Sequence, residues 1–175
     1  HKGLRDLLAL GWIDRMPRLV GVQAEGSAFL ADAWRLGEDV VTKPAIVANT
    51  VADSIAAGLP RDRVKAMAAV RDTGGVFVTV SDDEILAAIP AVARGCGVFG
   101  EPAAAASWAG LVAAVRSGAV GHGDRVVIMN TGSGLKDVAA ASRGAEAAGI
   151  TAVRVRPDGR DLDAALDRLE TMGAR

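Results

Sequence analysis

Apolar residues form several short, unbroken runs that are separated by longer segments with apolar residues at helical spacing. Such runs occur at residues 18–23 (RLVGVQ), 76–80 (VFVTV), 125–130 (RVVIMN) and 151–155 (TAVRV). Because strands that are buried on both faces lack polar alternation, the runs predict a mostly parallel sheet between helices. We therefore expect an α/β fold, a mostly parallel sheet with flanking helices.

Helix signals lie between and around the predicted strands. Leu4, Leu7, Leu8 and Leu10 give an opening helix an apolar stripe, and Gly11 is its expected end. Ser81 with Glu84 three residues later is a capping-box signature. Further helices are predicted at residues 27–36, 61–73, 82–94, 102–116 and 161–172, with a short helix after the loop at 48–58.

Composition excludes several classes of partner. The 175 residues suit one domain, and Lys plus Arg (20) nearly balance Asp plus Glu (21). With aromatics at 3% and no Tyr, we expect no nucleic-acid partner, and no apolar run approaches the ~18 residues of a membrane span. The single cysteine fits a reducing, cytoplasmic location. The first residues are typical of the middle of a helix rather than a signal peptide, so we interpret the chain as a fragment.

The segment 127–137 (VIMNTGSGLKD) is the most informative motif. Two glycines, Gly132 and Gly134, would let the backbone approach a flat ligand, and the hydroxyl of Thr131 or Ser133 could offer it a hydrogen bond. Asp137 stands where a dinucleotide fingerprint needs its third glycine. On spacing alone, a tight strand-to-helix turn with Ser133 or Thr131 as its cap is the simpler interpretation.

Two other segments have equally simple structural explanations. Glu101 and Pro102 begin a predicted helix, where a carboxylate gains from the helix dipole. In the segment 49–55 (NTVADSI), Thr50 or Asp53 could cap a helix. The two histidines and Cys96 form no pattern typical of a zinc site or a nucleophilic triad.

Taken in order, the motifs resemble the threonine synthase family. The similar stretches are KGLRDLLALGWIDRMPRLVGVQAEG, NTVADSIAAG, VSDDEI, GEPAAAASWAGL and NTGSGLKD. They cover roughly residues 1–140, whereas the tail from about 140 is matched loosely. The resemblance implies that residues 1–175 are the C-terminal portion of the catalytic domain of a fold-type II pyridoxal 5'-phosphate (PLP) enzyme. Members of the threonine synthase family convert O-phospho-L-homoserine and water to L-threonine and phosphate, and a homodimer is expected.

The resemblance also implies residue roles. Thr131 would face the pyridine nitrogen of PLP, and a hydroxyl there leaves that nitrogen largely unprotonated. Gly132, Ser133, Gly134 and Glu101 would also line the cofactor. A substrate cleft is expected at the 50–54 segment, with Thr50, Ala52, Asp53 and Ser54 as its candidate residues.

The resemblance leaves two expectations about what the chain lacks. The family's Schiff-base lysine lies in an upstream Ser-Phe-Lys-Asp-like motif, and no lysine here has that context, so no catalytic residue is expected in this chain. Dehydratase and racemase relatives carry a metal-binding Glu after a strand, where this chain has Gln23, so we expect no metal there, although Glu25 is close. A serine/threonine dehydratase and a non-catalytic binding module remain alternatives.

Overall fold

The computed structural model describes residues 1–150 and 152–173, with side chains described up to residue 171. Its regular elements in chain order are α1 (Lys2–Ala9), β1 (Val20–Ala24), α2 (Phe29–Leu36), α3 (Arg63–Asp72), β2 (Val76–Val80), α4 (Asp82–Cys96), α5 (Pro102–Arg116), α6 (Val138–Ala147) and α7 (Leu162–Gly173). Short 3-10 turns occur at Glu25–Ser27, Asp53–Ile55 and Gly134–Lys136.

Strands β1 and β2 form a parallel pair at the centre of the fold. The register runs from Val20 opposite Val76 to Ala24 opposite Val80, so the two carboxyl ends lie at the same edge. This arrangement confirms the expected α/β class, since helices pack against both faces of the parallel sheet.

Each face of the sheet has its own apolar core. On one face Val22, Ala24 and Val80 pack against helices α4 and α5. That core contains the buried residues Ala24, Ala52, Val80, Ile85, Ala88, Ile89, Ala105, Ala106 and Ala109. The approach of α5 is close, because a Cβ built on Gly110 would lie 2.2 Å from Cγ2 of Val22.

The opposite face of the sheet is covered by α2 and α3. Phe77 packs there with a second buried cluster, formed by Phe29, Leu30, Ala33, Val40 and Met67. The rings of Trp34 and Phe77 meet edge to face at 5.6 Å between centroids. Alternate strand residues therefore serve two separate cores, which explains the unbroken apolar runs in the sequence.

Helix ends follow the signals in the sequence. Ser81 accepts from the backbone N–H of Glu84 while the Glu84 carboxylate accepts from the N–H of Ser81, so the predicted capping box is confirmed. Helix α5 occupies the predicted range 102–116. Gly37 and Gly97 end α2 and α4 with φ values of 68° and 73°, a region that favours glycine.

Helix α6 packs against an interruption in α4. Pro90 lies inside α4 and has no N–H to donate to the carbonyl of Leu86, four residues earlier. Gly144 of α6 lies over that same carbonyl, since a Cβ at Gly144 would be 2.6 Å from the Leu86 oxygen. Two residues that are unfavourable within helices therefore make the contact between these two helices possible.

Two strand predictions are wrong in the described residues, and a third is shifted. Residues 125–130 and 152–155 form no strand, and Thr151, the first residue of the latter prediction, lies outside the described residues. Apolar residues form a strand only when a neighbouring strand pairs with them, and Val127 is 85% exposed. Strand β1 begins at Val20 and continues one residue beyond Gln23.

Within the described ranges, no helix has both the length and the apolar character that crossing a bilayer requires.

Candidate functional site

The candidate site lies at the edge of the sheet where β1 and β2 end. Beyond β1, the carbonyl of Gly26 accepts a hydrogen bond of 2.8 Å from the backbone N–H of Asn49. The two backbones are so close that a Cβ on Gly26 would lie 1.7 Å from the Asn49 oxygen. The absence of a side chain at position 26 therefore allows the segment 49–54 to lie against the end of β1.

The same segment is attached to the residue that follows β2 and Ser81. One carboxylate oxygen of Asp82 accepts from the Thr50 hydroxyl at 2.5 Å, and the other accepts from the N–H of Val51 at 3.1 Å. The Thr50 oxygen in turn accepts from the N–H of Ala52, which is fully buried. Thr50 thus acts within the loop, and the 3-10 turn at Asp53–Ile55 has no side-chain cap.

Sequence reasoning did not identify Asp82 as part of the site. Its position gave a usable signal, because a carboxylate two residues after a predicted buried strand lies at the carboxyl edge of the sheet, where ligands of α/β folds bind. Asp82 also begins a helix, and that simpler explanation concealed its contact with a loop 31 residues earlier.

Glu101 precedes the first turn of α5 but does not cap it with its side chain. Its carboxylate is 7% exposed and lies 2.9 Å from Nζ of Lys136. A negative charge at the start of a helix is favoured by the helix dipole, and this prediction accounts for the position of Glu101 in the chain. It does not account for the direction of its side chain, which is set by the ion pair.

The turn 131–134 runs beside Gly100 and Glu101. The N–H of Glu101 donates to the carbonyl of Gly132 at 3.0 Å, and the N–H of Gly134 donates to the carbonyl of Phe99 at 2.9 Å. Both glycines lie against side chains, because a Cβ would come within 2.0 Å of Glu101 at Gly132 and within 2.4 Å of the Phe99 ring at Gly134. Larger residues at positions 132 and 134 would force these neighbours to move.

The two hydroxyl groups of this turn have different surroundings. Ser133 accepts a hydrogen bond from the N–H of Leu135 at 3.3 Å and is the side-chain cap of the 3-10 turn Gly134–Lys136. Thr131 is exposed, next to the glycine that packs on Glu101. Ser133 is therefore the cap, and the hydroxyl of Thr131, the other candidate, is accessible to a ligand.

Lys136 joins the three segments in which candidate site residues are predicted. Besides its contact with Glu101, its Nζ lies 3.5 Å from the hydroxyl of Ser54. Ser54 and Asp53 are exposed at this end of the 50–54 segment. The structure thus brings Ser54, Glu101 and the turn 131–134 together around one ammonium group that the sequence analysis had not assigned to the site.

Gln23 acts on the backbone of α2. Its side-chain oxygen accepts from the N–H groups of Leu30 and Ala31 at 2.8 and 2.9 Å, so it satisfies two free donors at the start of that helix. Among the described residues, no group of three or more His, Cys, Asp or Glu side chains is placed to hold a metal ion. That no metal binds at Gln23 stays a prediction.

Comparison with known protein families identifies the class of enzyme. The family model described as pyridoxal-phosphate dependent enzyme matches residues 2–132. The chain belongs to this family. The match covers β1, β2 and both helices that build the first core, and it ends within the turn that contains Thr131.

Three curated relatives, each named threonine synthase, give a closer comparison. The chain is 42% identical to that of Methanosarcina acetivorans over 137 residues, 46% to that of Mycobacterium leprae over 136, and 37% to that of Methanocaldococcus jannaschii over 146. These alignments cover 78%, 78% and 83% of the chain and 34%, 35% and 36% of the relatives. The chain therefore spans about a third of their length.

A solved structure supports the fold. The processed form of threonine deaminase isoform 2 from Solanum lycopersicum is similar with a TM-score of 0.64 at 20% identity. The likeness covers 84% of this chain and 40% of that one, and at this identity it shows the fold alone.

The residues present fit PLP, the cofactor of this family. An accessible hydroxyl at Thr131 can donate to an aromatic nitrogen without carrying charge. The glycines beside it have no side chains, and Glu101 is already neutralised by Lys136. The turn therefore carries an exposed, uncharged donor, which is the kind of group that the resemblance implies at Thr131.

Proposed function

We propose that this chain is the C-terminal part of a threonine synthase, which converts O-phospho-L-homoserine and water to L-threonine and phosphate. The observation that carries the proposal is the meeting of three segments, 50–54, Glu101 and 131–134, at the carboxyl edge of a parallel sheet. The identity of 37–46% with proteins named threonine synthase supports this activity over others of the family.

When bound, PLP supplies an electron sink for elimination and replacement chemistry on the amino acid. The role proposed for this chain is to hold and tune that group. Thr131 donates a hydrogen bond to the ring nitrogen, and an uncharged partner leaves the nitrogen largely without a proton. Gly132, Ser133 and Gly134 let the ring edge approach the backbone, and Glu101 lies beneath the turn.

The segment with Thr50, Ala52, Asp53 and Ser54 is proposed to line the substrate cleft. The hydrogen bonds from Asn49 to Gly26 and from Val51 to Asp82 fix its backbone before substrate arrives, so little ordering is required on binding. The exposed residues Asp53 and Ser54 are the ones available to a substrate.

The activity is tested with a full-length protein that contains this chain. A threonine synthase releases equimolar phosphate and threonine from O-phospho-L-homoserine. A serine/threonine dehydratase would instead form 2-oxobutanoate from threonine, and a non-catalytic module would do neither. Dominant 2-oxobutanoate formation without phosphate release would overturn the proposal.

Substitutions of Thr131 test the cofactor role. In the full-length enzyme, Thr131→Ser keeps the hydroxyl and most activity. Thr131→Val keeps the shape but leaves the ring nitrogen without a partner, which costs about 1–3 kcal/mol and lowers the rate roughly 5- to 150-fold. Thr131→Asp draws a proton onto the nitrogen and changes the absorbance of the bound cofactor. If Thr131→Val equals wild type in PLP affinity and turnover, the assignment is wrong.

The covalent anchor for PLP is proposed to lie outside these residues. Lys43 pairs with Glu38, Lys65 pairs with Asp62 and Lys136 pairs with Glu101. We expect the 175-residue chain alone to form no covalent bond with PLP, tested by borohydride reduction and peptide mapping. Stoichiometric labelling of any lysine here would contradict this.

A cytoplasmic homodimer is proposed for the full-length enzyme, as the family resemblance implies. Analytical ultracentrifugation measures its mass directly, and a monomer at micromolar concentration would refute the proposed dimer.

A further inference from the structure

Lys136 occupies a position that no proposed catalytic step uses. It ends the 3-10 turn Gly134–Lys136, directly after the glycine-rich turn. Its Nζ lies 2.9 and 3.1 Å from the two carboxylate oxygens of Glu101 and 3.5 Å from the hydroxyl of Ser54. One ammonium group therefore contacts the helix start and the 50–54 segment, while its backbone continues the turn.

Glu101 requires such a partner. Its carboxylate is 7% exposed, and a buried charge is costly unless it is paired and hydrogen-bonded. Among the hydrogen bonds in the described part of the chain, those to this carboxylate come from Lys136. Removing one partner of a buried pair leaves the other uncompensated, so loss of Lys136 should displace Glu101 toward water.

Movement of Glu101 would be transmitted to the turn. The carboxylate fills the space where a Cβ of Gly132 would lie, at 2.0 Å from Oε1, so Gly132 and the carboxylate are in close contact. The backbones of the two residues are also joined by the 3.0 Å hydrogen bond between the Glu101 N–H and the Gly132 carbonyl. Thr131 immediately precedes Gly132, so the position of Thr131 depends on where Glu101 lies.

We propose that Lys136 is a positioning residue, which holds the Glu101 carboxylate beneath Gly132 and so fixes the backbone that presents the Thr131 hydroxyl to the ring nitrogen. This inference rests on the proposed cofactor role of the turn. Lys136 acts through Glu101 and need not touch the cofactor or the substrate.

A competing role for Lys136 is direct binding of an anionic group of the substrate, because its side chain is 59% exposed. The two roles differ in their consequences. A lysine that binds substrate phosphate affects mainly KM, whereas a lysine that positions the turn affects kcat and the backbone at 131–134 even without substrate.

The experiment compares single variants of Lys136, Glu101 and Lys65, and one double variant, in a full-length, PLP-loaded enzyme that contains this chain. Lys136→Met removes the charge but keeps much of the stem, and Lys136→Arg restores the charge. Lys65→Met is the matched control, since it removes an exposed lysine paired with Asp62 at 3.1 Å, outside the site. Amide hydrogen exchange of peptides covering 99–104 and 129–137 is measured with and without PLP, beside kcat and KM for O-phospho-L-homoserine.

We expect Lys136→Met to raise amide exchange in both peptides about tenfold and to lower kcat about tenfold, with KM changed less than about threefold. Lys136→Arg should recover most of both losses, and Lys65→Met should match wild type. Because Lys136 acts through Glu101, adding Lys136→Met to Glu101→Gln should lower kcat no further.

Wild-type exchange and kcat in Lys136→Met would overturn the proposal, and so would a rise in KM alone. If the losses in kcat of the two single variants add in the double variant, Lys136 acts independently of Glu101, and the proposal is also overturned. If the wild-type enzyme has no activity on O-phospho-L-homoserine, the proposed function fails. The exchange measurement with and without PLP still decides whether Lys136 positions the turn.

Discussion

The segments 49–54 and 131–136 lie at the same edge of the sheet but are held in different ways. The first is attached through its backbone to the ends of both strands, at Gly26 and Asp82, and contains the fully buried Ala52. The second is attached to the start of α5 by two backbone hydrogen bonds, but its glycines pack against side chains, those of Glu101 and Phe99. An added methyl group must therefore move backbone atoms at the first segment, whereas at the second it meets side chains that can rotate.

This difference predicts very different costs in stability for alanine at Gly26, which contacts the first segment, and at Gly132, which belongs to the second. Gly26→Ala places a Cβ 1.7 Å from the Asn49 oxygen and 2.8 Å from its carbonyl carbon. Backbone atoms of both segments would have to move, so we expect a loss in unfolding free energy of about 3 kcal/mol or more. Urea denaturation of the full-length protein measures it.

Gly95→Ala in helix α4 is the matched control, because nothing lies within 4 Å of its added Cβ. Alanine favours a helix over glycine by about 0.5–1 kcal/mol, so this control should be neutral or stabilising. Equal destabilisation by the two substitutions would show that the contact of Gly26 with Asn49 does not fix the first segment.

Asp82→Asn tests the second attachment of the 49–54 segment. An amide has one oxygen to accept with, so either the Thr50 O–H or the Val51 N–H loses its acceptor. We expect a loss of about 2 kcal/mol in unfolding free energy and faster amide exchange at 49–54. Asp83→Asn removes a neighbouring exposed carboxylate from the same helix start. If the two variants have the same exchange at 49–54, Asp82 does not hold the loop.

Gly132→Ala should cost less in stability than Gly26→Ala, about 1 kcal/mol, although its Cβ would also meet an atom at 2.0 Å. The obstructing atoms belong to the Glu101 side chain, which can rotate away. The effect should appear instead as loss of the ion pair with Lys136 and weaker PLP binding in the full-length enzyme. A stability loss as large as that of Gly26→Ala would remove the distinction between the two segments.

The smallest effect is expected at Glu84, which lies in the first turn of α4, the helix that begins at Asp82. Its pKa is lowered below the ordinary value of 4.5, chiefly by the hydrogen bond from the Ser81 backbone and further by Arg116, although burial opposes the shift. A carboxyl whose folded pKa is lowered stabilises the fold above its unfolded pKa and loses that contribution as pH falls through the folded value.

Glu84→Gln keeps an acceptor for the cap but has no charge. We expect a loss of about 0.5 kcal/mol at pH 7, small because a third of the side chain is exposed, and a smaller loss below pH 4.5. Urea denaturation at pH 7 and at a pH below 4.5 measures the change in unfolding free energy. A loss that grows on acidification would contradict the assigned pKa direction.

Local signals predicted the parts of the fold that depend on local physics. The capping box at Ser81, the ends of α5 and the apolar run of β2 follow from neighbouring residues, and all three are confirmed. The run at 125–130 has the same character as β2 but forms no strand, because pairing depends on a distant partner that periodicity does not report. Lys136 and Asp82 were missed for the same reason, since their partners lie 35 and 32 residues away.

The contact between Gly144 and the Leu86 carbonyl has a consequence for chain entropy. The connection between α5 and α6, residues 117–137, begins and ends on helices that both pack against α4. For a connection closed in this way, doubling its length costs only about 0.6 kcal/mol. A shift of α6, by contrast, acts directly on the residues next to the turn. Residues added near Gly121 should therefore disturb the turn at 131–134 less than one methyl group at Gly144, because that methyl would push the helix after the turn away from the Leu86 carbonyl.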